Sequence, residues 1–292
     1  MLLRSIRRDQ ETSLYATVSQ LLPGLLGPET REFPGKSRWQ VRTAFLSDVH
    51  LGSRGCRATE LLQFLDSVRM DELIIVGDLI DFWSLRRSFY WPAEHNAVLR
   101  AILGKAKQGT RVIYVPGNHD AEMREFVGAA FGRIQIHRDY VHRTAAGERL
   151  LVMHGDEFDG VVKCSRWLAA FGSHVYDLTL DLNRHFNRLR GALGYSYWSL
   201  ASYLKDRVPN ARQYIESFEH AVAHEARRRG VDGVVCGHIH RPQLRRIEGL
   251  LYCNDGDWVE SCTALIEDRN GRLALWHWVE LSARASSVDV AA

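Results

Sequence analysis

Five short polar clusters carry most of the side chains in this sequence that could do chemistry: Asp48-Val49-His50, Gly77-Asp78-Leu79-Ile80-Asp81, Gly117-Asn118-His119-Asp120, His154-Gly155-Asp156 and Gly237-His238-Ile239-His240. Their carboxylates, imidazoles and single amide are oxygen and nitrogen donors, a mixture that suits Mn2+, Fe or Zn2+, without the thiolates of a structural zinc site. The spacing of Asp48 and His50 lets a carboxylate and an imidazole converge if the chain turns there. Asp78 offers two oxygens, enough to bridge two cations, and Gly77 beside it permits close backbone approach. His238 and His240 can feed two metal positions from one strand end. Capping and turn chemistry would account for any one cluster. The joint pattern favours metal ligation.

Each cluster falls where an apolar run ends, which is where open α/β sheets place their sites. Strands are expected at about 43–46, 73–76, 112–115 and 150–153, with helices at about 57–69 and 93–107 between the first three. That alternation indicates an α/β sheet. A third helix is expected at about 121–131, followed by short strands near Ile134 and Tyr140. Between about 160 and 209 the pattern turns helical, with Trp167, Phe171, Val175, Leu178, Leu182, Phe186 and Leu189 forming one apolar stripe. A helix at about 211–229 then leads to a strand at about 233–236, and strands near Leu244, Leu251, 262–266 and 273–278 complete the pattern. The order predicts a two-sheet core with helices outside, divided as a leader (1–38) of no readable role, a domain (39–280) with a helical insertion (about 160–209), and a tail (281–292).

Composition sets the outer limits. A chain of 292 residues with 46% hydrophobic and 25% charged side chains can bury a full core. Thirty-eight Lys and Arg against 35 Asp and Glu leave a charge of +3, too near balance to point by itself to nucleic acid. The five cysteines are scattered, never C-x-x-C, and suit a reducing cytosol. Arg4, Arg7 and Arg8 imitate a signal n-region, but Thr17, Ser19, Gln20 and Pro23 interrupt the apolar stretch after them, so a cytoplasmic location is expected. No apolar run approaches the roughly 20 residues that span a bilayer, which leaves only peripheral membrane contact.

The motifs D-x-H, G-D-x-x-D, G-N-H-D, H-G-D and G-H-x-H, in this order between about Val41 and Trp278, resemble the calcineurin-like metallophosphoesterase superfamily. The resemblance implies a four-layer αββα sandwich, two divalent cations and hydrolysis of a phosphoester. It implies one cation on Asp48, His50, Asp78 and His240, and the other on Asp78, Asn118, His154 and His238. Two such cations, about 3.5–4 Å apart, acidify a bridging water, bind the phosphate oxygens and set an in-line attack. It also implies a catalytic group of His119 beside the leaving oxygen, Asp81 orienting its ring, and Asn118. Asp120, Asp156 and Asp159 are expected to support neighbours or turns instead of ligating. His95, His137, His142, His174, His185, His220, His224 and His277 are read as ordinary histidines, and Trp258 and Glu260 as packing and turn residues near the metals.

Within the superfamily, Asp48-Val49-His50-Leu51-Gly52, Gly77-Asp78-Leu79-Ile80-Asp81-Phe82-Trp83 and a helical cap after His154-Gly155-Asp156 are similar to the UDP-2,3-diacylglucosamine diphosphatase group of lipid A biosynthesis. That likeness implies Mn2+, cleavage at the uridine-side phosphorus to give UMP and 2,3-diacylglucosamine 1-phosphate, and work at the inner face of the inner membrane. The best-known branch of that group has arginine where this chain has His119, the generic phosphoesterase residue. The insertion mixes Tyr195, Tyr197, Trp198 and Tyr203 with Lys163, Arg166, Arg184, Arg188 and Arg190, which suits a cap taking acyl chains on one side and anionic headgroups on the other. Trp83, Lys163 and Arg166 are the expected substrate contacts. The same metals would serve a nucleotide or nucleic-acid phosphodiesterase or a phosphoprotein phosphatase, and the fold could be a metal-free interaction scaffold. Confinement of the aromatic and basic residues to the cap favours an acylated sugar nucleotide over nucleic acid.

Overall fold

Side chains alternate along the first strands and so divide the molecule into layers. A computed structural model describes residues 39–159 and 209–282, with positions 186 and 190. The leader, nearly all of the expected insertion including Lys163 and Arg166, and the tail beyond 282 lie outside the described residues. In β1 (Trp39–Leu46), Ala44 and Leu46 face away from Phe45; in β2 (Val68–Val76), Leu73 and Ile75 face away from Ile74 and Val76; in β3 (Arg111–Val115), Val112 and Tyr114 face away from Ile113 and Val115. This period of two is that of strands buried on both faces.

Helices α1 (Ala58–Ser67), α2 (Phe82–Arg87) and α3 (Ala93–Lys107) separate these strands in sequence. Leu61, Phe64 and Leu65 of α1 and Val98 and Ile102 of α3 cover one face of the sheet. The next strands are β4 (Ala130–Phe131), β5 (Ile134–Ile136), β6 (Tyr140–Arg143) and β7 (Arg149–Val152), followed by helix α4 (Pro209–Arg228). Strands β8 (Gly233–Cys236), β9 (Gln243–Ile247), β10 (Leu250–Asn254), β11 (Thr263–Glu267) and β12 (Leu273–His277) complete the order. They form a seven-stranded sheet, β12-β11-β1-β2-β3-β5-β4, and a five-stranded sheet, β6-β7-β8-β10-β9. Leu150, Val152, Val235 and Cys253 of the second sheet meet Phe45, Ile74 and Val115 of the first. On its outer face, Leu151, Val234 and Tyr252 pack on Phe218, Val222 and Ala226 of α4. Helix, sheet, sheet, helix is the expected αββα sandwich. Strands β1, β2, β3 and β5 are parallel, as are β7, β8 and β10, so their carboxyl ends collect the polar clusters.

Two local expectations change. The helix expected at about 121–131 is a 3-10 turn (Ala121–Phe126) followed by β4. Gly128 takes φ +88° and donates its N–H to Ile136 O at 2.9 Å, which draws the chain into an antiparallel edge pair with β5. Helix propensity in this segment yields to that tertiary pairing. Helix α1 also stops at Ser67 because Val68 is extended (φ −112°, ψ 123°) and begins β2.

One of the histidines read as ordinary joins the two sheets. His142 of β6 is buried, with Nδ1 3.0 Å from Glu72 Oε2 and Nε2 2.8 Å from Glu267 Oε2. Glu267 also accepts from Arg42, Thr43 and the Ala145 N–H. Burial opposes the charged forms, but these bonds outweigh it: Glu267 is lowered from 4.5 to about 2, and His142 is raised above 6.5. The contribution of Glu267 is therefore complete above about pH 4.5 and lost as pH falls through about 2. That of His142 is complete below pH 6.5 and lost as pH rises through its raised value. Glu267→Ala should lower the unfolding free energy by about 3 kcal/mol at pH 6. Urea titrations should show that gap closing as the pH is taken from 4.5 down to 2.

Candidate metal centre

Backbone strain marks the site before any side chain is considered. Among the described residues, Asp48, His50, Asp78, His238 and His240 have positive φ of 50°, 53°, 53°, 70° and 50°, and only Glu248 and Cys262 join them outside glycine. A left-handed residue of this kind costs on the order of 1–3 kcal/mol and persists only where its surroundings enforce it. Here the strand ends enforce it. Asp48 N–H donates to Gly77 O (3.2 Å), His50 N–H to Asp78 O (2.9 Å), Leu51 N–H to Leu79 O (2.9 Å) and Asp81 N–H to Leu51 O (2.8 Å), so the β1 and β2 loops stay paired beyond the sheet.

Two glycines make the closeness possible. A Cβ on Gly77 would lie 2.2 Å from His154 Nδ1, and one on Gly117 would lie 2.2 Å from Asp78 Oδ1. Asp120 then fastens the loops from beneath. Fully buried, it accepts the N–H groups of Gly117 (2.6 Å), Leu79 (2.7 Å), Asp78 (3.3 Å) and Ile80 (3.3 Å) and the Tyr114 hydroxyl. Burial and the Asp78 charge push its carboxyl up to about 6.

Asp48, His50 and His240 each place a donor atom within 4.8 Å of the others, and so do Asp48, Asp78 and His154. His50 Nε2 and His240 Nε2 stand 3.4 Å apart, at 3.8 and 3.0 Å from Asp48 Oδ1. That oxygen is buried and makes no well-aligned hydrogen bond, so three ligand-type atoms face one small volume that a cation would fit. On the other side, His154 Nδ1 donates to Val76 O at 2.8 Å, which leaves Nε2 3.3 Å from Asp78 Oδ2 and 3.2 Å from Asn118 Oδ1. Burial would neutralise these groups. The imidazoles prevail, with His240 foremost at Asp48 and His154 at Asp78, and hold both carboxyls below the usual range. His154 in turn is pushed up to about 10 against burial, by the Asp78 charge.

His119 sits beside this cluster, its backbone N–H donating to Asp78 Oδ1 at 2.8 Å. Its Nδ1 lies 3.0 Å from Asp81 Oδ1, and Trp83 stacks on its ring at 4.2 Å and 32°. Asp81 also caps α2, accepting from Ser84 N at 2.8 Å. Trp83 is 49% exposed, whereas Trp258 is fully buried against Phe64 and is a packing residue. His238 stands at the edge of this cluster: its backbone N–H donates to Asp48 Oδ2 at 2.9 Å, its Nε2 meets Asp159 Oδ1 at 2.7 Å, and its ring stands 5.2 Å from that of His154.

Some supporting residues had no sequence signal. Arg124 donates to both oxygens of Asp156 (2.7 and 2.9 Å) and to Pro116 O (3.2 Å), tying the loop after β3 to the loop after β7. Tyr214 donates to Asp159 Oδ1 at 2.7 Å. Both span the chain at distances no local pattern reveals.

Residues 41–242 match the family model described as calcineurin-like phosphoesterase. The chain is 28% identical over 253 residues to the UDP-2,3-diacylglucosamine hydrolase of Xanthomonas campestris pv. campestris, covering 79% of this chain and 97% of that protein. It is 23% identical over 237 residues to the protein of the same name from Haemophilus influenzae, covering 78% and 95%. Among solved structures, Vacuolar Protein Sorting 29 from Cryptosporidium parvum is 12% identical over 80% of this chain and 94% of its own, with a TM-score of 0.38. Phosphopantetheinyl hydrolase from Mycobacterium tuberculosis is 15% identical over 76% and 91%, also at 0.38.

The Asp120 anchor yields a stability test independent of activity. Asp120→Ala leaves several buried donors unpaired at about 1–3 kcal/mol each, so it should cost at least about 3 kcal/mol in denaturant unfolding. Tyr114→Phe, which removes one donor only, should cost about 1 kcal/mol. Equal losses for the two variants would contradict the anchoring role.

Proposed function

This chain belongs to the calcineurin-like phosphoesterase family, and on that premise we propose that it is a two-metal hydrolase cleaving UDP-2,3-diacylglucosamine to UMP and 2,3-diacylglucosamine 1-phosphate. Phosphoester hydrolysis with divalent metal ions is the family's chemistry; the number and kind of ion and the substrate are our assignments. The observation that carries the metal assignment is the approach of His50 Nε2 and His240 Nε2 to the buried Asp48 Oδ1. We assign one ion, Mn2+, to Asp48, His50, Asp78 and His240, and a second to Asp78, Asn118, His154 and His238. When bound, the ions supply positive charge to the phosphate oxygens and acidify the attacking water.

The chain's own groups complete the reaction. Asp81, held ionised by His119 and His50 in spite of burial, keeps the His119 Nδ1–H in place. The opposite nitrogen, Nε2, is then the atom that gives a proton to the leaving oxygen as the water oxygen bonds to phosphorus and the old P–O bond breaks. Trp83, stacked on that ring and half exposed, forms a wall for the substrate, with Lys163 and Arg166 assigned to its diphosphate. The substrate assignment is supported by the similarity to hydrolases of that name. We read 39–280 as the catalytic domain and 160–209 as a cap, where burial of acyl chains gains about 0.8 kcal/mol per CH2. No helix among the described residues is long and apolar enough to cross a membrane, and we assign the chain peripheral contact with an anionic bilayer surface.

The test is a substrate series after chelation and resupply of Mn2+. UMP release from UDP-2,3-diacylglucosamine should exceed hydrolysis of bis(p-nitrophenyl) phosphate, DNA and cyclic nucleotides; preference for a nucleic acid would overturn the substrate. Asp78→Ala should lose both metals and all activity. His119→Ala should keep its metal content and lower turnover by about 10²- to 10⁴-fold. Loss of a metal in His119→Ala would refute its role as a proton donor.

A further inference from the structure

His238, like His154, has one ring nitrogen already committed, but its partner is a side-chain carboxylate outside the candidate ligand set instead of a backbone carbonyl. Its Nε2 lies 2.7 Å from Asp159 Oδ1, and because a carboxylate can only accept, that nitrogen carries the hydrogen. The same oxygen accepts the Tyr214 hydroxyl at 2.7 Å, from the first turns of α4. Phe218, one turn further along α4, lies over the imidazole at 5.9 Å between ring centres and 39°. Gly155 leaves room for that ring, since a Cβ there would fall 2.7 Å from Phe218 Cζ. The imidazole is thus held at its Nε2 edge and on one face by groups that are not metals. Nδ1 is the nitrogen left with a lone pair.

We infer that Asp159 and Tyr214 are positioning residues that fix His238 as an Nδ1 donor to one of the two cations, so that this cation's affinity depends on how α4 is seated. The inference rests on the two-metal reading above. A carboxylate behind a ligating imidazole sets its tautomer and orientation and strengthens it as a donor. Asp159 is the residue before the segment 160–208, and Tyr214 lies on the helix that comes after it. Their contact joins the two ends of the insertion at the metal centre, which links whatever displaces α4 to the strength of one metal position.

Calorimetric titration of the chelated full chain with Mn2+ tests this, with His238→Ala identifying the equivalent that depends on this ring. Asp159→Ala should weaken that same equivalent about 10- to 100-fold and leave the other at its wild-type affinity. Tyr214→Phe should weaken it about 2- to 10-fold. In the metal-free wild type, long-range proton–nitrogen spectra should show His238 with its hydrogen on Nε2, and Asp159→Ala should shift it to a mixture of tautomers. Two equivalents of unchanged affinity in Asp159→Ala, or a wild-type His238 with its hydrogen on Nδ1, would overturn the inference alone. A wild type that takes up no Mn2+ would overturn the two-metal reading and the inference with it. If Asp159→Ala does not fold, Tyr214→Phe decides, and wild-type affinity at both positions in that variant overturns the inference.

Discussion

Four aspartates, Asp48, Asp78, Asp120 and Asp255, lie at the carboxyl ends of the central strands with no more than 2% of their surface exposed. An ionised carboxylate cannot be withdrawn from water without a partner at a tolerable cost, and four together aggravate one another. The chain resolves this in two ways. Asp48 and Asp78 remain ionised because imidazoles outweigh their burial, His240 first at Asp48 and His154 first at Asp78. Asp120 is pushed up to about 6, and Asp255, buried beneath Ser47 with the Asp48 charge nearby, is pushed up as well. Negative charge is thereby placed on the two carboxylates that face the histidines, and the imidazoles supply its counter-charge.

That charge is held on strained backbone. Five left-handed residues cluster at the site, and the framework that keeps them there is rigid: parallel pairing between β1 and β2, the Asp120 anchor, and the Trp258 N–H donated to Asp48 O at 3.0 Å. Arg124 adds a tie between the loops of the two sheets. Donors fixed before a ligand arrives need not be ordered when it binds, and this is the use to which such strain is put.

The two sheets contribute different things. The first sheet carries His119, Asp81 and Trp83, stacked and hydrogen-bonded into one unit. The second carries His154, His238 and His240 and leans on α4, whose Phe218 packs the core and also touches His238. One helix therefore both covers the outer face of the second sheet and packs beside a candidate ligand.

Much of this was legible in the sequence. Oxygen and nitrogen donors at the ends of apolar runs, in a specific order, carried the resemblance to the family, because short motifs and a period of two are local properties of the chain. A two-sheet core with helices outside was readable from the same alternation, and the αββα layering was implied by the family resemblance. The segment 121–126 reads as helix in isolation and becomes a 3-10 turn only because β5 recruits the residues after it. Arg124 and Tyr214 gave no signal, since their partners Asp156 and Asp159 are 32 and 55 residues away. Tertiary structure alone decided which carboxylates stay charged, and which nitrogen of His154 and His238 is committed to a hydrogen bond. Those choices depend on burial and on the fields of neighbours brought together by folding, which no stretch of sequence contains.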